Sequence, residues 1–410
     1  MRTTSLLNKL LGINKARVVD FAFNGDGLVL DVRPTTRVPI CGGCFRPVRQ
    51  IHDARERRWR HLDFGGMKLH LRAPLRRVRC PRCGITTELV PWAQPLSWFT
   101  DAFEQTVAYL AQSAAKTVVA EMMRVAWASV GAIVERFVAR HRGDDPLAGL
   151  THIGVDELSY RRHHEYVTVV VDHIKARIVW AAPGKNAETL RGFFSELGAD
   201  RCENLKAITI DMSGAYIAAV TEAAPKAKLV FDRFHVQRLA HDALDQVRRH
   251  QVRDVDDPDA RRTLKHTRFA LQKNPWNLTR IETGKLADVQ RTNAPLYRAY
   301  LLKESLAEIL DRRQPNVAGG LLDKWSDWAT HSRLAPFVKV AKTIRRYRDG
   351  ILAYVATGLS NGRTEGLNGK ARTITRRSYG FHSATSLIGM LFLCCSGLNI
   401  QPAHNTLRFH

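Results

Sequence analysis

Two kinds of hydrophobic period divide this chain. Residues 16–23 and 28–33 alternate apolar and polar positions around Asn24-Gly25-Asp26-Gly27, the signature of a β-hairpin. A second hairpin is predicted at Gly65-Gly66. From residue 101 to 142 the period becomes helical: Phe103, Val107, Leu110 and Ala111 form one apolar stripe, and Ile133, Val134, Phe137 and Val138 another. After Gly143-Asp144-Asp145-Pro146, read as a linker, strand-like runs follow at 152–156, 166–172 and 177–182. A helix near 188–197, a strand at 207–211, a helix at 214–223 and a strand at 228–232 complete a βββαβαβ order. From about 236 to 356 the pattern is helical throughout, divided by Pro275, Pro295, Pro315 and Pro336. Two more helices are predicted at 361–377 and 383–398; the second holds the longest apolar run, too short to span a bilayer and read as a buried helix.

Composition adds a partner to this outline. The 410 residues, 45% of them hydrophobic, suffice for a sizeable core and several structural units. Lysine and arginine number 63 against 39 acidic side chains, a formal charge of +24 that points to a polyanion. On charge alone a ribosome-associated protein or an anionic-membrane binder would satisfy the same excess. The first eleven residues show neither a long apolar stretch nor a small-residue cleavage pattern, so a cytoplasmic, nucleoid-associated protein with no membrane partner is expected. Four of the seven cysteines form two CxxC pairs, which suits metal binding in a reducing compartment better than a disulfide framework.

Those pairs, Cys41 with Cys44 and Cys80 with Cys83, let two thiolates from each turn reach one structural Zn2+. The long gap between them is filled by the second hairpin as an arm. His52, His61 and His70 lie between the pairs as substitute ligands or as plain exposed histidines. Arg55, Arg57, Arg58, Arg60, Arg72, Arg76, Arg77 and Arg79 make the same segment a candidate phosphate-contacting surface. Downstream, residues 116–123, the short Arg124-Val125-Ala126 turn and a helix from Trp127 to Arg140 have helix-turn-helix proportions. Arg124, Trp127 and Ser129 are its candidate DNA contacts.

The remaining constellation carries chemistry. Asp156 is predicted at the end of the first strand of the βββαβαβ unit and Asp211 at the end of the fourth, so that adjacent strands would set the two carboxylates side by side. Glu365 lies in a helix whose spacing puts Asn361, Glu365, Asn368, Arg372 and Arg376 on one face and Leu367, Ala371 and Ile374 on the other. Three converging carboxylates repel one another without cations, which implies a pair of Mg2+ or Mn2+ ions. Each acid alone is an ordinary strand-end or first-turn residue; the combination is the specific signal.

These residues resemble the bacterial insertion-sequence transposases of the ISL-three family, which are of the DDE type. The resemblance rests on the CxxC pairs, the helix-turn-helix, Gly154-Val155-Asp156-Glu157, Asp211-Met212-Ser213, the segment from Phe231 to Val236, and Asn361 through Asn368. It implies an α/β fold: a ribonuclease H-like catalytic core interrupted by an all-helical insertion, preceded by a β-rich zinc-binding module and a helix-turn-helix domain. The corresponding divisions are 1–95 for the zinc module, 96–145 for the helix-turn-helix, 150–238 and 357–400 for the two parts of the core, and 239–356 for the insertion. The resemblance further implies binding to terminal inverted repeats, cleavage exposing 3′ hydroxyls and their attack on target DNA, by a homo-oligomer assembled on DNA ends. Asp156, Asp211 and Glu365 take the catalytic positions, while Asp232 and His235 match a motif close to the active site as supporting residues. Trp276, Trp325 and Trp328 are core residues or base-stacking platforms. Two competing readings are a transposase-derived DNA-binding regulator, against which the intact carboxylates speak, and a junction resolvase, which would need no two-part N-terminal DNA-binding module.

Overall fold

The computed structural model describes residues 3–161, 165–359, 362–378 and 381–403, without the side chains of 161, 260, 362–365 and 368. The chain forms two compact units, one of Met1–Gly143 with Phe392–His410 and one of Asp144–Leu391. Among the described residues no single helix is long and apolar enough to cross a membrane.

The first unit opens with α1 (Thr3–Leu11) and the predicted hairpin β1 (Ala16–Asn24) and β2 (Gly27–Pro34). A side chain at Gly27, which has φ +115°, would collide with the Lys68 carbonyl, so glycine is required at this turn. The arm β3 (Ile51–Phe64) and β4 (Met67–Cys80) turns at Gly65-Gly66 as expected, and β5 (Gly84–Thr87) pairs back onto β4. The sheet order is β1-β2-β4-β3. Its core is built around Trp59 and Trp92, packed edge to face at 5.5 Å over buried Leu30, Leu69 and Leu71.

Strand register gives several arginines of the candidate phosphate-contacting surface partners within the protein. Asp31 stands opposite Arg72, and Asp53 opposite Arg77, as direct cross-strand partners. Both pairs close two-toothed contacts: Arg72 Nε to Asp31 at 2.5 Å, and Arg77 Nε to Asp53 at 2.6 Å. Arg76 likewise holds the buried Glu88 at 2.5 Å, and Arg60 pairs with Asp63. Arg58 also lies 3.8 Å from Asp26, so five of the eight arginines face the protein's own carboxylates.

Three helices follow: α2 (Asp101–Ser113), α3 (Lys116–Met123) and α4 (Trp127–His141). Phe103, Val107 and Ile133, from the predicted stripes, close a common core with Val119 of α3 and Val130 of α4. Thr100 caps α2 by accepting the Phe103 N–H at 3.3 Å, and its hydroxyl lies 2.8 Å from Nδ1 of the buried His61. The network is satisfied when Thr100 donates to a neutral imidazole.

The second unit contains β6 (His152–Arg161), β7 (Glu165–Asp172) and β8 (Arg177–Pro183), then α5 (Ala187–Leu197), the short α6 (Ala199–Cys202), β9 (Ala207–Ile210), α7 (Gly214–Ala223) and β10 (Lys228–Phe231). The sheet order is β10-β9-β6-β7-β8, antiparallel within β6-β7-β8 and parallel across β6-β9-β10. One expectation fails here. Asp156 is not at the end of its strand but in the middle of β6, because pairing to β7 continues as far as Arg161 after pairing to β9 has stopped at Gly154.

Helices α8 (Arg233–Asp254), α9 (Pro258–Lys265), α10 (Arg268–Gln272), α11 (Arg280–Thr292), α12 (Ala294–Leu310), α13 (Pro315–Thr330), α14 (Ala335–Arg346) and α15 (Arg348–Thr357) come next, and among the described residues no strand interrupts them. Pro295, Pro315 and Pro336 each sit in a helix's first turn, where the missing N–H costs nothing, so the prolines divide the helices as predicted. Gly350 lets α15 lie on β10, since a Cβ there would come within 2.4 Å of the Phe231 ring. The three tryptophans part ways: Trp325 is buried and donates to the Leu302 carbonyl at 2.8 Å, Trp328 is partly exposed, and Trp276 is open to solvent. The chain continues through α16 (Gly362–Arg377) and α17 (Ala384–Cys395).

Burial, and then the positive Arg60 beside it, push the His61 pKa down from 6.5 to about 4. A base that resists protonation in the fold but accepts it when unfolded stabilises the fold fully above pH 6.5. That contribution declines as pH falls towards 4, by on the order of 3 kcal/mol. Denaturation of wild-type and His61→Gln protein from pH 7.5 to 4 should show the wild type losing more stability by about that amount. Parallel profiles would mean that His61 is not held neutral.

Candidate functional site

The parallel ladder aligns the acids. β6 meets β9 with Ile153 opposite Ile208 and Gly154 opposite Thr209, and β9 meets β10 with Ile210 opposite Phe231. Continued past the last paired residues, this register sets Asp156, Asp211 and Asp232 at one level on three neighbouring strands. Val155, Ile210 and Phe231, immediately before them, are buried, so the acids emerge where the core ends. Asp211 accepts the Ser213 N–H at 2.9 Å and Asp156 that of Glu157 at 2.7 Å, bonds that orient both carboxylates. Asp232 is buried at the N-cap of α8.

These three acids and His235 line a cavity of about 920 Å3, together with Phe234, Arg238, Arg372, Thr375 and Arg376. α16 packs against β6, with Ala371 and Ile374 buried as the helical spacing predicts and Arg372 and Arg376 turned to the cavity. Glu365 falls on this helix, but its side chain, Asn361 and the side chain of Asn368 lie outside the described residues. The cavity thus has an acidic floor and an arginine rim.

Glu157 and Phe234 belong to the quoted motifs without a role of their own, and Tyr216 and Arg238 lie outside every motif. All four line the cavity. Burial pushes the Glu157 carboxyl above its usual range, and Asp211 and Asp156 add to the shift against the opposing Tyr216 hydrogen bond. Tyr216, itself raised mainly by burial, stands 3.0 Å from the Thr168 hydroxyl. The position of Tyr216 on α7 needed tertiary structure to be seen. Phe234 and Arg238 carried a readable signal, being four residues apart on a helix that begins after Asp232.

In the first unit, the four sulfurs of Cys41, Cys44, Cys80 and Cys83 lie within 4.8 Å of one another. Cys44 and Cys80 are 3.6 Å apart, close to the edge of a tetrahedron with metal–sulfur bonds of about 2.3 Å. Backbone N–H groups of Arg82 and Cys83 pull the Cys80 thiol down to about 7, whereas burial and then the neighbouring sulfurs push Cys83 up to about 12. Four thiolates cannot coexist here without a cation, and this donor set fits a structural zinc. His52, His61 and His70 take no part in the cluster: His61 is bound to Thr100, and His52 lies 3.3 Å from Arg79.

The turn between α3 and α4 is closed by Arg124 in the left-handed region, φ +52°. Its guanidinium does not project freely; it pairs with Asp63 and donates to the Gly66 carbonyl at 2.9 Å, at the tip of the β3–β4 arm. Trp127 is exposed at the start of α4 with the Lys116 ammonium 3.7 Å from its ring centre, and Ser129, in the same first turn, is half-buried.

These parts coincide with those of one family, and the chain belongs to it: the ISL3 family of transposases. The family's transposase profile matches residues 153–391, its helix-turn-helix profile 88–138, and a profile described as the zinc-finger of transposase IS204/IS1001/IS1096/IS1165 matches 37–83. Among characterised relatives, the transposase for insertion sequence element IS1557, found in two strains of Mycobacterium tuberculosis, is 40% identical over 97% of this chain and 96% of its own length. The transposase for insertion sequence element IS1001 of Bordetella parapertussis is 30% identical over 87% of this chain and 89% of its own.

Metal analysis of purified protein should find one zinc per chain. Cys80→Ser should release it and lower the melting temperature of the first unit, because ligand binding energy in such a site is folding energy. Well-folded wild type with less than half an equivalent of zinc would remove the metal from this cluster.

Proposed function

We propose that this chain is a DNA transposase that binds the terminal inverted repeats of an insertion sequence, cleaves DNA strands at the element ends and joins the 3′ ends to target DNA. Asp156, Asp211 and Glu365 are the catalytic carboxylates, working in a homo-oligomer assembled on the ends. The observation that carries this reading is the common level of Asp156 and Asp211 on neighbouring parallel strands, beneath the helix that bears Glu365. The strand order supports a ribonuclease H-like core, and the run of helices α8 to α15 supports a helical insertion between its parts.

Asp156 and Asp211 supply hard oxygen donors fixed by backbone N–H groups, a set suited to magnesium or manganese. Two such ions, held by these acids and Glu365, would supply Lewis acidity to the attacking water or sugar hydroxyl and to the departing oxygen. Arg372 and Arg376 on the rim neutralise the phosphate backbone as it enters, and Asp232 and His235 support the floor from the start of α8. The start of α4, with exposed Trp127 and half-buried Ser129, reads the major groove, while the Arg124–Asp63 pair holds the helix-turn-helix against the zinc module.

The test uses DNA carrying the gene's own flanking repeats. Asp156→Asn, Asp211→Asn and Glu365→Gln should each abolish cleavage and joining in magnesium while leaving affinity for that DNA unchanged. Affinity of all forms should fall steeply with salt as phosphate counterions compete. Normal joining by the Glu365→Gln protein would remove that residue from the triad, and a flat salt response would contradict the DNA partner.

A further inference from the structure

The side chain of Phe234 is in an unusual place for an apolar ring. It belongs to the first turn of α8, two residues after Asp232, and is 52% exposed while lining the cavity that holds the carboxylates. The core-facing side of α8 is already complete: Val236, Ala240, Ala243, Leu244 and Val247 are all buried. Phe234 is off that stripe, so packing of α8 does not explain it. The His235 ring stands edge-on to it at 5.6 Å and 80°, which steadies the aromatic plane.

One helical turn further, Arg238 lines the same cavity and is 64% exposed. Its ion pair with Asp242 spans 3.8 Å between two open side chains, a contact weak enough to be exchanged for a better anion. An exposed aromatic face and an exchangeable guanidinium, four residues apart on one helix face and beside carboxylates that act on phosphodiesters, match the two ends of a nucleotide.

Building on the DNA-cleavage reading above, we propose that Phe234 and Arg238 form a nucleotide subsite in the carboxylate cavity. The ring stacks on the base flanking the phosphodiester to be cut, and the guanidinium takes that nucleotide's phosphate. The base leaves its own stack for the protein's ring. The backbone is thereby led between the acidic floor and the arginine rim. Phe234 and Arg238 are positioning residues for the scissile bond.

The experiment uses full-length Asp156→Asn protein, so that bound DNA is not consumed, with 2-aminopurine placed in turn at each position flanking the end of the element's repeat. Binding should raise emission at a position adjacent to the cut, because the probe exchanges a quenching base stack for a phenyl ring. Phe234→Leu, which keeps apolar volume without an aromatic face, should lose the rise, and Phe234→Tyr should keep it. Arg238→Gln should bind about tenfold more weakly, with a salt dependence shallower by about one phosphate. An emission rise undiminished by Phe234→Leu would overturn the subsite, as would loss of DNA-free self-association in that variant with the rise intact. Cleavage of the same DNA by wild-type protein is the separate control. If it cuts while the probe is indifferent to residue 234, the subsite alone fails; if it does not cut, the reading beneath it fails.

Discussion

The parallel register of β6, β9 and β10 is the constraint on which the second unit depends. Each strand brings an apolar run to the same depth and then turns polar, so the hydrophobic effect that buries Ile153, Ile208 and Val230 also determines where the acids surface. A slip of one residue would move an acid about 3.3 Å along the strand and turn it to the opposite face of the sheet. Carboxylate alignment is therefore a by-product of core packing, which makes it robust to change in the loops around it. Alignment has an electrostatic cost, and burial sharpens it: Glu157, beside the two aspartates, already resists ionisation. Relief has to come from outside the acid cluster: from the arginines that α8 and α16 bring to the rim and, on the proposed reading, from divalent ions.

The same competition between self-pairing and partner binding shapes the first unit. A charge of +24 suggests a protein coated with available cations. Strand pairing withdraws Arg72 and Arg77 from that pool by setting Asp31 and Asp53 opposite them. Asp63 goes further, since it holds both Arg60 from its own strand and Arg124 from the helix-turn-helix. One acid at the tip of the arm so fastens the reading head to the zinc module. What is withdrawn from phosphate contact is spent on holding the DNA-facing parts in a fixed arrangement within their unit.

Much of this was legible in local pattern. The two hairpin turns, the three strands of the meander and the bounds of α7 follow from alternation, glycine placement and helical period, all of which act within a few residues. Pairing partners act at long range, and that is where local pattern runs out. Asp156 lies mid-strand because β7, not β9, decides where β6 ends. Arg124 has the character of a DNA contact until its Asp63 partner, 61 residues away, is seen. Trp325 and Trp276 are alike in sequence, and only the packing of α13 against α12 separates a core residue from an exposed one. Tyr216 escaped notice because nothing in α7 itself announces that its hydroxyl reaches Thr168 on β7.

α16 shows how packing on one face of a helix sets the geometry of a site on the next. Its buried face includes Ala371 and Ile374, and the helix packs against β6, where a small residue such as alanine permits close approach. Close approach sets the depth of the cavity, because Arg372 and Arg376 extend from the neighbouring face over the level where Asp156 emerges. A bulkier residue at 371 would lift that face away from the strand and enlarge the gap between rim and floor, without touching any acid or arginine. The distance between these arginines and the aspartates is thus a packing quantity. It is governed by an alanine that no chemical motif would single out.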